Sequence, residues 1–227
     1  GVVQATIGFL GSFFRKKPLR LPLSRILAAA LFGVIATAMG TLAVFSFTYP
    51  DADAGITTFI VTMSIIPGAF IDWIFFRHRL SPRQWVGIAV FLCSGYAMLN
   101  FPELNMLVSL PPWIWLTFGI AFLGAVNEGI TQWQGRYKKA EALDPMVNSF
   151  WIGLGTFFSA GAIFLLLRPR PIIAELPLRL WITSAIIGTI IVGMHSAKLF
   201  AYQEGGSIAL KKLIMQATYL ITATILG

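Results

Sequence analysis

Long apolar segments are the sequence feature that most limits what this chain can fold into. A helix of roughly 20 apolar residues spans a bilayer core about 30 Å thick, and several runs of that length follow one another here with short polar loops between them. Only 11% of the residues are charged and 57% are hydrophobic, whereas a soluble domain has about 25% and about 45–50%. This pattern excludes a soluble enzyme, a secreted disulfide scaffold and a disordered chain. It predicts an all-α polytopic membrane protein.

The apolar runs divide into one partial helix and seven nearly complete ones. Prolines, charged turns and short polar loops separate them, and Pro111 and Pro112 favour a helix start because proline has no amide hydrogen to leave unbonded there. The predicted helices cover residues 2–14, 26–49, 54–76, 84–101, 111–133, 144–167, 178–202 and 207–227. The chain begins and ends inside apolar runs, so we expect a fragment, with about eight spans, of a longer protein.

Basic residues are concentrated in alternate loops. Lys and Arg number 17 against 9 Asp and Glu, a net charge of +8. Eleven of the cations fall in three alternate loops, which the positive-inside rule places in the cytoplasm: Arg15, Lys16, Lys17, Arg20, Arg25, Arg77, Arg79, Arg83, Arg136, Lys138 and Lys139. The loop with Arg168, Arg170 and Arg179, which would then lie outside, is an exception. The excess charge therefore indicates membrane orientation, not nucleic-acid binding, and predicts an integral multi-pass protein of an inner or plasma membrane.

The two halves of the chain share residues in the same order. Seven matches carry the pattern: Gly33, Met39 and Phe45 recur 155 positions later as Gly188, Met194 and Phe200, and Val2, Ile7, Gly8 and Phe13 recur 145 positions later as Val147, Ile152, Gly153 and Phe158. Equivalent helices lie five positions apart in the order of helices, an odd number, so the second copy has inverted topology. Inverted repeats are a feature of secondary transporters. We predict a first repeat over residues 1–104 and a second over 105–227.

One segment resembles a known family. It runs from Gly55-Ile56-Thr57-Thr58 through Ile66-Pro67-Gly68, then Arg79-Leu80-Ser81-Pro82-Arg83-Gln84-Trp85-Val86-Gly87, to Ser94-Gly95-Tyr96. It is similar to the end of the first repeat of the ten-helix EamA-type transporters in the drug/metabolite transporter (DMT) superfamily, although Arg77-His78 replace the Gly-Glu pair usual in the turn. The resemblance implies two inverted five-helix units, here without the first and tenth helices. It also implies alternating access, a substrate site between the repeats near the midplane, and no enzymatic activity.

Charged residues inside the predicted helices are candidates for function, because a charge at bilayer depth costs several kcal/mol unless it is partnered or exposed to water. Asp72 lies five residues before Arg77 and is expected to extend toward that basic cluster. Glu128 stands beside Asn127, one turn before Gln132. It either lines a cavity, where it could carry a proton, or pairs with a lysine of another helix.

Three lysines and a histidine complete the set. Lys211 and Lys212 lie about five residues after Gly206 and point about 100° apart on a helix, so at least one is expected to face the interior and attract an anion. This pair also resembles the sugar-phosphate and nucleotide-sugar branch of the superfamily; the alternative is that both extend to the cytoplasmic surface. His195 and Lys198 share a helix face. His195 is either a hydrogen-bonded packing residue or a ligand contact, and Lys198 either joins it or reaches the interface.

These residues predict a secondary transporter for a small anionic or zwitterionic metabolite. The predicted substrate-binding residues are Lys211, Lys212, Lys198, His195, Glu128 and Asn127. Coupling to protons through Glu128 and ion-independent exchange both stay open, as do a monomer and a homodimer. The alternatives are an amino-acid or drug exporter without anion preference, and a non-transporting scaffold or pigment-binding subunit. Cys93 is the single cysteine and no metal or nucleophile motif occurs, so we expect no enzyme, no metal and no cofactor.

Overall fold

The computed structural model describes residues 1–78, 80–98, 110–136, 143–167, 177–208 and 211. This part of the chain forms helices and contains no strand. The helices are α1 (Val2–Phe14), α2 (Leu23–Ser46), α3 (Ala54–Thr62), α4 (Ile65–Phe76), α5 (Pro82–Met98), α6 (Pro112–Arg136), α7 (Pro145–Leu167) and α8 (Leu178–Gln203). Five segments are long and apolar enough to cross a membrane: α2, Ala54–Phe76, α6, α7 and α8. The predicted all-α polytopic fold is confirmed, and the ends of α1 to α8 lie within a few residues of those predicted. Most of the predicted helix 207–227 lies outside the described residues.

The predicted helix 54–76 is interrupted at Met63 and Ser64, and Pro67 explains the position. Proline has no amide hydrogen and its ring crowds the carbonyl four residues earlier, which here belongs to Met63. That carbonyl instead accepts a hydrogen bond from the Ile66 amide at 2.9 Å, and the regular pattern resumes where the Gly68 amide donates to Ser64 at 3.0 Å. The break therefore lies one turn before the proline.

Polarity is distributed as expected for a membrane protein. Large apolar side chains are exposed along the spans, among them Phe75 and Leu166, and several polar ones are fully or almost fully buried: Asp72, Thr117, Gln132, Gln134, Asn148 and Ser149. In a bilayer the exposed apolar surface contacts lipid, while polar groups are hydrogen-bonded or face the protein interior. With the five candidate spans, this arrangement fits a multi-pass integral membrane protein.

The chain divides into two compact units, which we describe separately. The first unit comprises Gly1–Thr37 and Ile130–Gly205, and the second comprises Ala38–Gly129 and Gly206–Gly227. A core of Ala29, Phe32 and Ile152, packed against Ile130 and Trp151, holds the first unit together. In the second, two clusters are buried: one of Phe59, Ile60, Trp113 and Ile114, and one of Ile65, Ala69 and Ile88. The division into repeats at residue 104 stays a prediction.

Within the first unit, α1 and α7 make a reciprocal contact through two glycines. A Cβ atom added to Gly8 would lie 2.4 Å from the backbone nitrogen of Phe150, and one added to Gly153 would lie 2.4 Å from that of Ala5. The 145-residue offset that relates Gly8 to Gly153 also relates Ala5 to Phe150. Mapping each helix onto the other therefore turns the Gly8–Phe150 contact into the Gly153–Ala5 contact, as a local two-fold axis requires. The inverted repeat over the whole chain stays a prediction.

Helices α2 and α7 also pack closely through small residues. A Cβ atom on Gly33 would lie 2.3 Å from the carbonyl oxygen of Ile152, and one on Gly155 would lie 2.3 Å from that of Ala30. Such close backbone approach is typical of membrane helices, which associate through packing and polar contacts rather than through a hydrophobic driving force. The α7 helix is thus fixed against both α1 and α2.

Candidate functional site

A buried ion pair joins α6 to the chain segment that follows α8. The ammonium of Lys211 bonds to the Oε2 carboxylate oxygen of Glu128, and each side chain is 11% exposed. Lys211 lies on a helical turn, because its amide donates to the carbonyl of Ser207 at 3.1 Å. Lys211 thus faces the interior. Of the two alternatives for Glu128, the structure shows pairing with a lysine. Lys212 lies outside the described residues.

Helix α4 packs against both elements that carry this pair. A Cβ atom on Gly129 would lie 3.0 Å from the Ile71 side chain, and one on Gly68 would lie 2.8 Å from that of Ile208. Gly129 is adjacent to Glu128, and Ile208 is three residues before Lys211. All of these residues belong to the second unit. The pair therefore lies where three elements of that unit meet.

The carboxylate residue Asp72 is buried on α4. Its exposed fraction is 0%. The buried residues Ile65, Gly68, Ala69 and Asp72 recur at intervals of three and four and so form one inward face of the helix. The expected extension toward Arg77 and Arg79 stays a prediction, because Arg79 lies outside the described residues. Asp72 lies next to Ile71, so α4 brings a third charged residue to the side of the helix that faces the unit's interior.

The predicted residue Asn127 is also buried, with 6% of its surface exposed, and it precedes Glu128 on α6. An amide and a carboxylate are thus adjacent on α6, and the carboxylate pairs with the ammonium group of Lys211. Together they can donate to a carboxylate and accept from an ammonium group. The opposite charges of Glu128 and Lys211 compensate each other, so this site has no cation excess from these two residues.

His195 and Lys198 belong to the first unit, on α8. The Nε2 amide group of Gln4 donates to Nδ1 of His195 at 3.1 Å. The imidazole also meets the ring of Phe32 edge to face, with centroids 4.8 Å apart. These contacts correspond to the packing alternative for His195. Lys198, one turn further along the helix, is partly exposed.

Three buried amides in the first unit were not among the predicted site residues. Within the described part of the chain, neither amide atom of Gln132 or of Gln134 has a hydrogen-bond partner, and nor does Oδ1 of Asn148. A buried polar group left without a hydrogen bond costs about 1–3 kcal/mol, and native proteins contain few of them. The sequence signal for Gln132 and Gln134 is that two glutamines stand two residues apart near the end of an apolar span.

The described residues contain no group of three or more His, Cys, Asp and Glu side chains that could hold a metal ion. The thiol of Cys93 is exposed and forms no disulfide. The charged site therefore consists of the ion pair and its neighbours on α4 and α6.

A family comparison supports the resemblance stated from the sequence. Residues 2–101 match the model of the EamA-like transporter family, and this confirms the predicted EamA-type likeness within the drug/metabolite transporter superfamily. The family is one of transporters rather than of enzymes. The match does not distinguish the sugar-phosphate and nucleotide-sugar branch, which stays a prediction. No curated protein and no solved structure matches the chain.

Proposed function

We propose that this protein is a secondary transporter that moves a small zwitterionic metabolite, such as an amino acid, by alternating access. The match of residues 2–101 to the EamA-like transporter family supports the transporter class. The single observation that carries the proposed site is the buried Glu128–Lys211 ion pair. We place the substrate at this pair, near the bilayer midplane and between the predicted repeats.

The energetics of a buried ion pair favour a functional role. Removing two charges from water costs more, in many proteins, than their mutual attraction returns, so such a pair is weak evidence for stability. Ionisable groups within membrane spans are accordingly associated with substrate and ion pathways. A pair kept at 11% exposure in an otherwise apolar span fits that description.

The pairing also narrows the substrate class. A substrate with an ammonium and a carboxylate group can replace both partners, because its carboxylate binds Lys211 while its ammonium binds Glu128. A simple anion must displace Glu128 and leave that carboxylate buried without a cation, which is strongly unfavourable. The Asn127 amide, on the same turn of α6, can bond either group. A zwitterion therefore suits this site better than a simple anion.

Three further elements of the proposal depend on the predicted chemistry. Lys212 would supply a second cation and so shift the preference toward phosphorylated substrates. The roles of His195 and Lys198, on α8 of the first unit, as substrate contacts stay predictions. Protonation of Glu128 would release Lys211 and couple transport to protons; exchange without an ion is the alternative.

The test is ligand-dependent thermal stability of the purified full-length protein. The panel contains neutral amino acids, phosphorylated sugars, dicarboxylates and quaternary ammonium compounds, each applied to wild type, Lys211→Met, Glu128→Gln and the exposed-loop control Lys17→Met. A ligand at 100 times its dissociation constant stabilises the protein by about 2.7 kcal/mol. Amino acids should stabilise wild type and the control but neither site variant.

Other outcomes of the same panel decide between the alternatives. Stabilisation by phosphorylated sugars and not by amino acids would replace the zwitterion with an anion held by Lys211 and Lys212. Equal stabilisation of wild type and both site variants would remove the pair from the binding site. A protein that binds no ligand class, and transports none in liposomes, would instead be a membrane scaffold.

A further inference from the structure

We propose that an apolar cavity at the α4–α5 turn binds the acyl chain of an anionic phospholipid, whose phosphate is held by Arg77 and Arg83. The cavity has a volume of about 340 Å³ and is lined by Ala69, Phe70, Trp73, Leu80 and Trp85. This lipid site lies in the second unit and is independent of the proposed substrate site.

The cavity wall is apolar and opens on the surface of the unit. Its floor includes the buried Ala69, whereas Phe70, Trp73 and Trp85 are each about half exposed. Phe70 and Trp73 are three residues apart on α4, and their ring centroids are 6.5 Å apart. Exposed tryptophans of this kind are enriched at the membrane–water interface. The lining suits a hydrocarbon chain, since among the described residues that line it the indole nitrogens are the only side-chain polar atoms.

Two exposed arginines lie on either side of the lining residue Leu80 in the sequence. Leu80 lines the cavity and lies on the short turn between Arg77, which ends α4, and Arg83, the second residue of α5. Arg77 adopts a left-handed conformation with φ 55°, and this ends the helix and starts the turn. Neither arginine is buried. The same turn thus provides an apolar contact for the chain and two cations for a headgroup.

The start of α5 adds to the positive potential of this turn. Ser81 and Gln84 form a reciprocal cap: the Ser81 amide donates to Oε1 of Gln84 at 2.7 Å, and the Gln84 amide donates to Oγ of Ser81 at 3.3 Å. The cap fixes the helix start, whose dipole attracts negative charge. A phosphate placed here meets the helix dipole and both arginines.

Charge complementarity identifies the occupant as an anionic lipid. The basic loop is predicted to face the cytoplasm, where anionic lipids give the membrane surface its negative potential. A zwitterionic lipid would fill the cavity equally well but gain little from the arginines. A soluble phosphate would meet the arginines but leave the cavity empty.

The experiment measures tryptophan quenching in detergent-solubilised full-length protein by brominated phosphatidylglycerol and by brominated phosphatidylcholine. Wild type should bind phosphatidylglycerol more tightly, and Arg77→Gln/Arg83→Gln should weaken that binding roughly tenfold, to the level of phosphatidylcholine. Trp73→Ala should weaken the binding of both lipids. Arg20→Gln and Trp115→Ala, an exposed cation and an exposed tryptophan elsewhere, serve as matched controls and should bind as wild type does.

Three results would overturn the lipid site: equal affinity of wild type for both lipids, equal loss in the double variant and in Arg20→Gln, or displacement of the lipid by excess soluble glycerol phosphate. Thermal unfolding of each variant shows whether it is folded. If Arg77→Gln/Arg83→Gln is not folded, Trp73→Ala still tests the cavity. Lys211→Met should bind lipid as wild type does. The lipid site can therefore be correct if the substrate site is wrong, and the substrate site can be correct if the lipid site is wrong.

Discussion

Replacing Gly8 with alanine places a methyl group where α1 and α7 have no room for it. The new Cβ atom would lie 2.4 Å from the nitrogen of Phe150 and 2.7 Å from the carbonyl oxygen of Met146, whereas ordinary contacts are 3.4–4 Å long. The helices must therefore separate by about 1 Å, and overpacking of this kind costs about 1–3 kcal/mol. Alanine regains up to about 1 kcal/mol through its better helix propensity. We expect a net loss of about 1–2 kcal/mol.

The matched control is Gly40→Ala, because a Cβ atom there has nothing within 4 Å. This variant should be neutral or slightly stabilised by helix propensity alone. Equilibrium unfolding in a single detergent measures both. Gly153→Ala should resemble Gly8→Ala, and the double variant should lose less than the sum, because separating the helices for one methyl makes room for the other. Equal stability of Gly8→Ala and Gly40→Ala would refute the packing of α1 on α7.

Three more predictions concern buried polar groups, each measured by unfolding of purified protein. Glu128→Gln and Lys211→Met should each destabilise by about 3–5 kcal/mol, and their double variant by less than the sum; additive losses would mean that the residues do not pair. His195→Leu should cost about 1–3 kcal/mol because the Gln4 amide loses its acceptor, and His195→Gln should recover part of that loss; equal stability of the two variants would contradict the bond. Gln134→Leu should be neutral or stabilising, and a clear loss would show that this amide has a partner.

The sequence predicts the helices well because each is a long apolar run with a distinct end. The ends of α7 and α8 follow from the prolines and charged residues in the adjacent loops, which can be read directly from the sequence. The interruption after α3 was not predicted in position. Pro67 lies near the middle of the predicted helix 54–76, but its effect lies four residues earlier, at the Met63 carbonyl that it deprives of a donor.

The sequence locates the charged residues of the site but not their partners. Glu128 and Lys211 stand out because charges are rare in apolar runs, yet whether Glu128 meets a lysine or a cavity depends on which helices pack together. The same limit applies to His195, whose partner Gln4 lies at the other end of the chain. Gln134 and Asn148 were missed because neutral amides stand out less than charges do.

Counterflow of radiolabelled neutral amino acids into proteoliposomes tests the central claim most directly. Proteoliposomes preloaded with unlabelled amino acids should accumulate label through wild type and through Lys17→Met. In Glu128→Gln and Lys211→Met the rate of label accumulation should fall at least about tenfold. A tenfold change is equivalent to about 1.4 kcal/mol. Undiminished counterflow by Lys211→Met would contradict the claim that the buried ion pair binds the substrate.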